Sequence, residues 1–61
     1  MWITLQDKHI NFNIIQDFYR KDKSLYVTNI KHEVTCFHYP TEEKCKQVVE
    51  YLKTTLAIKE L

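Results

Sequence analysis

Tyr39-Pro40-Thr41-Glu42-Glu43-Lys44-Cys45-Lys46-Gln47-Val48-Val49-Glu50-Tyr51-Leu52 decides the fold of this chain. Pro40 has no backbone N–H to give to a sheet, so it ends the strand before it. Thr41 is a good N-cap, and Glu42 and Glu43 fall in the first helical turn, where the helix dipole favours anions. Beyond them Cys45, Val48, Val49, Leu52 and Leu56 recur at helical spacing, with Lys46, Gln47, Glu50 and Lys53 on the other side. Glu42 and Lys46 add an i,i+4 ion pair of about 0.2–0.5 kcal/mol. The spacing predicts one amphipathic helix over 42–57. No glycine is present to cap it, so its end is expected to be soft and residues 58–61 to fray.

On the N-terminal side of Pro40 the apolar period changes from 3.6 to two, the mark of half-buried strands. Residues 1–5 put Met1, Ile3 and Leu5 on one face and Trp2 and Thr4 on the other. Residues 9–12 repeat the alternation with Ile10 and Phe12, and Asn13 bends the chain. Residues 14–20 fit a helical turn at i, i+4 spacing or a strand carrying Phe18 inward. The strand is preferred, because Lys21-Asp22-Lys23-Ser24 then makes a hairpin turn into 25–28, where Leu25 and Val27 share a face. Residues 34–39 form a last strand whose register stays open: either Val34, Cys36 and His38 or Thr35, Phe37 and Tyr39 face inward. Without glycine the turns fall to Asn, Asp and Lys, which favours slightly open loops over tight two-residue hairpins. The expectation is a single domain, 1–61, of class α+β: a small antiparallel sheet of four to five strands with one C-terminal amphipathic helix packed on one face.

Composition narrows the function. The chain has 61 residues, with nine Lys or Arg against eight Asp or Glu, interleaved along its length. A duplex-binding protein needs a concentrated basic footprint, and the densest patch, Arg20-Lys21-Asp22-Lys23, is broken by Asp22. Phosphate-cradling loops need glycine for close backbone approach, so Walker and dinucleotide-binding loops are excluded. No apolar run nears the roughly 20 residues of a membrane span. The first residues lack the basic and sustained apolar regions of a secretory signal, which makes a cytoplasmic protein the default.

Four side chains have the chemistry of metal ligands: His32, Cys36, His38 and Cys45. Their spacing lacks the close Cys pair of structural zinc sites, and Cys45 sits at a core position of the helix. No metal and no cofactor are expected. A Cys36–Cys45 disulfide joining strand to helix would stabilise a small fold, but a cytoplasmic setting favours two reduced thiols. For nucleophilic catalysis Cys36 and His38 are the sole Cys/His neighbours, and a two-residue strand offset does not by itself position base and nucleophile. A domain this small also has little room for a pocket of about 300 Å³ or more. No catalytic residue is assigned, and an enzyme is not expected.

One helix covers one side of a sheet. Simple alternation leaves Trp2, Tyr19, Tyr26 and, in one of the two registers, Phe37 on the uncovered side. Aromatic residues converging on one sheet face point to a protein interface, of which self-association is the commonest form. Exposed strand edges could also pair with a partner. A second use of the same rings is stacking the bases of single-stranded nucleic acid, although basic framing is absent.

Trp2-Ile3-x-Leu5, Ile10-Asn11-Phe12, Ile15, Phe18, Leu25-x-Val27, Phe37-x-Tyr39 and Thr41-Glu42-Glu43 together make a pattern spanning nearly the whole chain. It resembles short β-meander-plus-helix proteins of phages, prophages and bacterial mobile elements. Those proteins usually carry turn glycines where this sequence has Asp7-Lys8 and Lys31-His32. The resemblance implies a non-catalytic protein that acts by binding, an inhibitor of a host or defence component. It transfers no functional residue. The expectation is therefore a self-associating, homodimeric protein-binding module with no nucleic-acid or membrane partner.

Overall fold

The chain runs through β1 (Trp2–Leu5), β2 (Lys8–Asn11), a 3-10 turn (Phe12–Ile14), β3 (Ile15–Lys21), β4 (Ser24–Asn29), β5 (Val34–His38) and α1 (Glu42–Thr55). The computed structural model describes residues 1–58, so the fraying predicted for 59–61 lies outside the described residues. Class and element order match the sequence expectation: α+β, all strands antiparallel, the helix last.

The strands do not form one meander. β1 and β2 make a two-stranded hairpin, and β3, β4 and β5 a separate three-stranded sheet with β4 in the centre. The break lies at residues 11–15. The Asn11 side chain accepts a hydrogen bond from the Asn13 amide at 3.0 Å, and Phe12 turns into the core. This bend carries β3 away from β2 before the two can pair. Residues 14–20, open between helical turn and strand, are divided: the turn ends at Ile14 and the strand starts at Ile15. Gln16 forms a bulge between Ile15, opposite Asn29, and Asp17, opposite Thr28.

Pleating decides the faces. Leu25 and Val27 of β4 are buried, with Phe37 across from Leu25 on β5 and Phe18 across from Val27 on β3. This inner face meets a second layer made of α1 and the β1–β2 hairpin. Ile3, Leu5, Phe12, Leu25, Val27, Phe37, Cys45 and Leu52 close into one core. Lys8 lays its ammonium over the Phe37 ring, 5.9 Å from the centroid, which pins the hairpin over β5. The open register of 34–39 resolves with Thr35, Phe37 and Tyr39 inward. Phe37 is therefore not on the open face: it is 2% exposed. A ring of that size is driven to the side where a second layer can cover it.

The turns are tighter than expected of a chain without glycine. Leu5 pairs with Lys8 around Gln6-Asp7, and Lys21 with Ser24 around Asp22-Lys23. Gln6 (φ 48°), Asp7 (φ 67°) and Asp22 (φ 55°) take left-handed conformations that glycine would adopt without steric cost. Register and core burial hold these residues there at a cost of order 1–2 kcal/mol each. In the loop before β5, His32 (φ 66°) is held by Asn29, whose side-chain oxygen accepts from Lys31 and Glu33 amides at 2.9 and 3.1 Å.

The helix is capped at both ends. Thr41 Oγ1 accepts from the Lys44 amide at 3.1 Å, and Glu42 pairs with Lys46 and with Arg20 of β3, each at 3.4 Å. At the C-terminus Ala57 (φ 55°) stands where glycine is usual. Its amide bonds to Thr54 and the Ile58 amide to Lys53, closing a Schellman cap. The helix thus ends two residues before the predicted limit of 57, with Ala57 in the place a glycine usually takes. No helix among the described residues is long and apolar enough to cross a membrane.

Candidate functional site

Both covering elements lie on the inner side of the β3–β4–β5 sheet, so among the described residues its outer side is left uncovered. Strand pairing sets three rows of side chains across that face. Lys21, Ser24 and His38 form one row; Tyr19, Tyr26 and Cys36 the next; Asp17, Thr28 and Val34 the third. Each row follows from the turn at Asp22-Lys23, which pairs Lys21 with Ser24 and, two steps along, Tyr19 with Tyr26.

The central row carries the apolar area. The Tyr19 and Tyr26 rings stack with centroids 5.0 Å apart and planes 17° from parallel, and Tyr19 remains 52% exposed. A near-parallel pair at this spacing presents a flat, rigid surface with little rotamer entropy left to lose on binding. Val34 at the end of the face is 59% exposed. The Cys36 sulfur, with desolvation second, pushes the Tyr26 phenol above its ordinary range, since a negative charge there would be repelled. Lys21 and Asp17, of opposite sign, flank the rows, so no single charge dominates the face.

Beside the rings is a polar cluster. Ser24 Oγ and His38 Nδ1 are 2.8 Å apart, and Cys36 Sγ lies 3.6 Å from His38 Nε2. The His38 carbonyl accepts from Gln6 Nε2 at 2.6 Å, tying this end of β5 to the hairpin turn. Ser24 and His38 were not singled out together from sequence. The signal was available in the hairpin turn and in the alternation of 34–39, but only the register of β5 on β4 sets Ser24 opposite His38.

The sequence-predicted site residues divide. Tyr19 and Tyr26 meet on the open face. Phe37 is in the core behind them. Trp2 belongs to the other sheet: it shares with Thr4 the face of the hairpin opposite Ile3 and Leu5, and those two residues point into the core. At 69% exposed, Trp2 instead borders a groove of about 560 Å³ between β1 and α1, with Thr4, Lys44, Gln47, Val48 and Tyr51. That groove exceeds what a chain of this length was expected to offer, but it is a surface cleft whose lining holds no histidine, cysteine or carboxylate.

The four possible metal ligands are not brought together. His32 lies in the loop preceding β5, Cys36 and His38 lie on the outer face, and Cys45 is fully buried on the inner side of α1. Among the described residues no group of three or more His, Cys, Asp or Glu could hold a metal ion. Both cysteines are free. The strand-to-helix alternative, a Cys36–Cys45 disulfide, is not formed: Cys36 is on the outer face and Cys45 in the core. Burial, first of all, raises the Cys45 thiol above its usual range.

Comparison with protein-family models, with curated proteins and with solved structures finds no match.

Proposed function

We propose that this chain is a small non-catalytic protein-binding module whose working surface is the outer face of the β3–β4–β5 sheet, used first of all to pair with a second copy of itself. The observation that carries the proposal is the stacked Tyr19–Tyr26 pair on the face of the three-stranded sheet that, among the described residues, neither helix nor hairpin covers. Stacked rings that are already ordered lose little entropy on docking, and aromatic anchors near the centre of a patch supply most of the energy of small interfaces. Among the described residues no further strand pairs with the outer edges of β3 and β5, which border the same face and, apart from the His38 carbonyl held by Gln6, offer main-chain hydrogen bonds to a partner strand. Action as an inhibitor encoded by a mobile element is the wider form of this proposal, and it rests on the resemblance of the sequence pattern alone.

Light scattering across a range of concentrations tests it. The wild-type chain is expected to show a dimer that dissociates on dilution, and Tyr19→Glu to be monomeric at every concentration with an unchanged far-ultraviolet circular dichroism spectrum. A monomeric wild type at the highest concentration removes self-association. Steeply salt-dependent binding of single-stranded oligonucleotides, lost in the same variant, would replace this proposal with base stacking.

A further inference from the structure

Cys36 and His38 stand two residues apart on β5, a spacing that ordinarily leaves side chains parallel and about 6.5–7 Å apart at their bases. Here the two side chains lean together until Sγ lies 3.6 Å from Nε2. The lean has a visible cause on the neighbouring strand. Ser24 is paired with His38 across the β4–β5 ladder, and its hydroxyl meets Nδ1 at 2.8 Å. With the ring proton on Nδ1 and donated to Ser24 Oγ, the Nε2 lone pair is directed at the thiol. The main chain is held as well, since Gln6 donates to the His38 carbonyl. Thiol, base and a third group that orients the base are the parts of an activated nucleophile.

We propose that Cys36 is an activated thiol and a modification site on the open sheet face, exchanging with small disulfides with His38 as its base and Ser24 as the residue that positions His38. The exchange balances without any further reagent. His38 Nε2 takes the thiol proton, and the Cys36 thiolate attacks one sulfur of the disulfide. A new S–S bond forms as the old one breaks, and the leaving thiolate departs with the electron pair and recovers the proton from the imidazolium. Cys36 is oxidised and one half of the disulfide is reduced. Cys36 is partly exposed on that face.

The other cysteine is an internal contrast. Cys45 has no exposed surface, and burial works against its ionisation. The groups that could alter the Cys36–His38 pair are few. Lys21 shares the row of His38, Tyr19 and Tyr26 share the row of Cys36, and Asp17 lies one row further. Gln6 is the neighbour from the hairpin turn, and Cys45, with Arg20 and Glu42 near it, is what lies across the sheet.

An adduct on Cys36 would stand in the same row as the stacked rings, so modification would obstruct docking. That consequence rests on the binding reading of the face; the exchange chemistry does not. The test is therefore made on the exchange itself, with the full chain and the chromogenic disulfide dithiobis-nitrobenzoate, from about pH 6 to about pH 9. The released thiolate is followed by absorbance, and the adduct is located by peptide mass. One thiol is expected to react quickly, at Cys36, and faster at neutral pH than the thiol of a short unstructured peptide. His38→Gln should slow it about tenfold near pH 7 and match the wild type above about pH 9, where the thiol ionises unaided. Ser24→Ala should move the profile the same way by less. A wild-type rate no higher than the peptide's, an adduct that forms first on Cys45, or a His38→Gln profile identical to wild type with unchanged melting temperature would each overturn the assignment. An unmodified chain that stays monomeric but exchanges at the expected rate would count against the binding reading alone.

Discussion

The two faces of the three-stranded sheet are built from the same strands and differ in what covers them. Inward, Leu25, Val27 and Phe37 interlock with Leu52, Cys45 and the hairpin residues Ile3 and Leu5, and none is more than 6% exposed. Outward, Tyr19 stacks on Tyr26, and His38 joins Ser24 and Cys36, with no second layer of described residues over them. The inner face holds the chain folded, and the outer face is free to hold chemistry. A domain of about 60 residues has material for one second layer only, so one side of its sheet must remain open.

The largest expected effect comes from trading one large ring for a methyl group on each side. Phe37→Ala should cost about 3–5 kcal/mol by transfer and cavity terms, which is about the whole stability that a core this small supplies. The variant is expected to be unfolded at room temperature by circular dichroism. Tyr26→Ala removes the ring stack and should cost only about 0.5–1.5 kcal/mol in urea denaturation. If the two losses were equal, the outer face would have to be counted as part of the core.

A smaller effect separates the layers through a turn. Asp7 is held at φ 67° by the hairpin that covers the inner face. Asp7→Gly should raise stability by up to about 1 kcal/mol, read as a higher urea midpoint, because glycine accepts that conformation without strain. A lower midpoint would show that the Asp7 side chain has a role of its own.

The smallest effect at neutral pH, emerging only in alkali, tells the faces apart by cause. Tyr26, Tyr39 and Cys45 all have their ionisation raised on folding, from ordinary values of 10.0, 10.0 and 9.0. The folded protein therefore binds these protons more tightly than the unfolded chain. Stability is fully present below about pH 9 and is lost as pH rises through and above that range. Inside, burial is the main cause for Tyr39 and Cys45; outside, Cys36 is the main cause for Tyr26. Cys36→Ser should bring the Tyr26 titration down while leaving Tyr39 in place, as followed by phenolate absorbance. Unchanged titration of both would mean that Cys36 does not govern Tyr26.

The parts legible from sequence were those governed by neighbours along the chain. Thr41 with the two glutamates after it started the helix where expected, and Cys45, Val48, Val49 and Leu52 were read on the correct side. Tyr19 and Tyr26 could be placed on one face because a short turn between them sets their pairing. The tight turns at Gln6-Asp7 and Asp22-Lys23 were misjudged because local steric preference is a small term. Register and burial, summed over whole strands, outweigh it.

Trp2 and Phe37 show the limit most clearly. Alternation said correctly that Trp2 lies opposite Ile3 and Leu5, and that Phe37 lies opposite Cys36. It could not say that the bend at 11–15 would split the sheet and send Trp2 to another surface. Nor could it choose which side of β5 the hairpin and helix would cover. By itself the sequence determined the class, the order of elements and the position of the helix, since these depend on periods and caps within a few residues. Only the tertiary structure decided which strands pair, which face stays open, and that Ser24, Cys36 and His38 meet there. Those outcomes depend on contacts between residues far apart in the chain, where one bend or one step of register redirects every side chain beyond it.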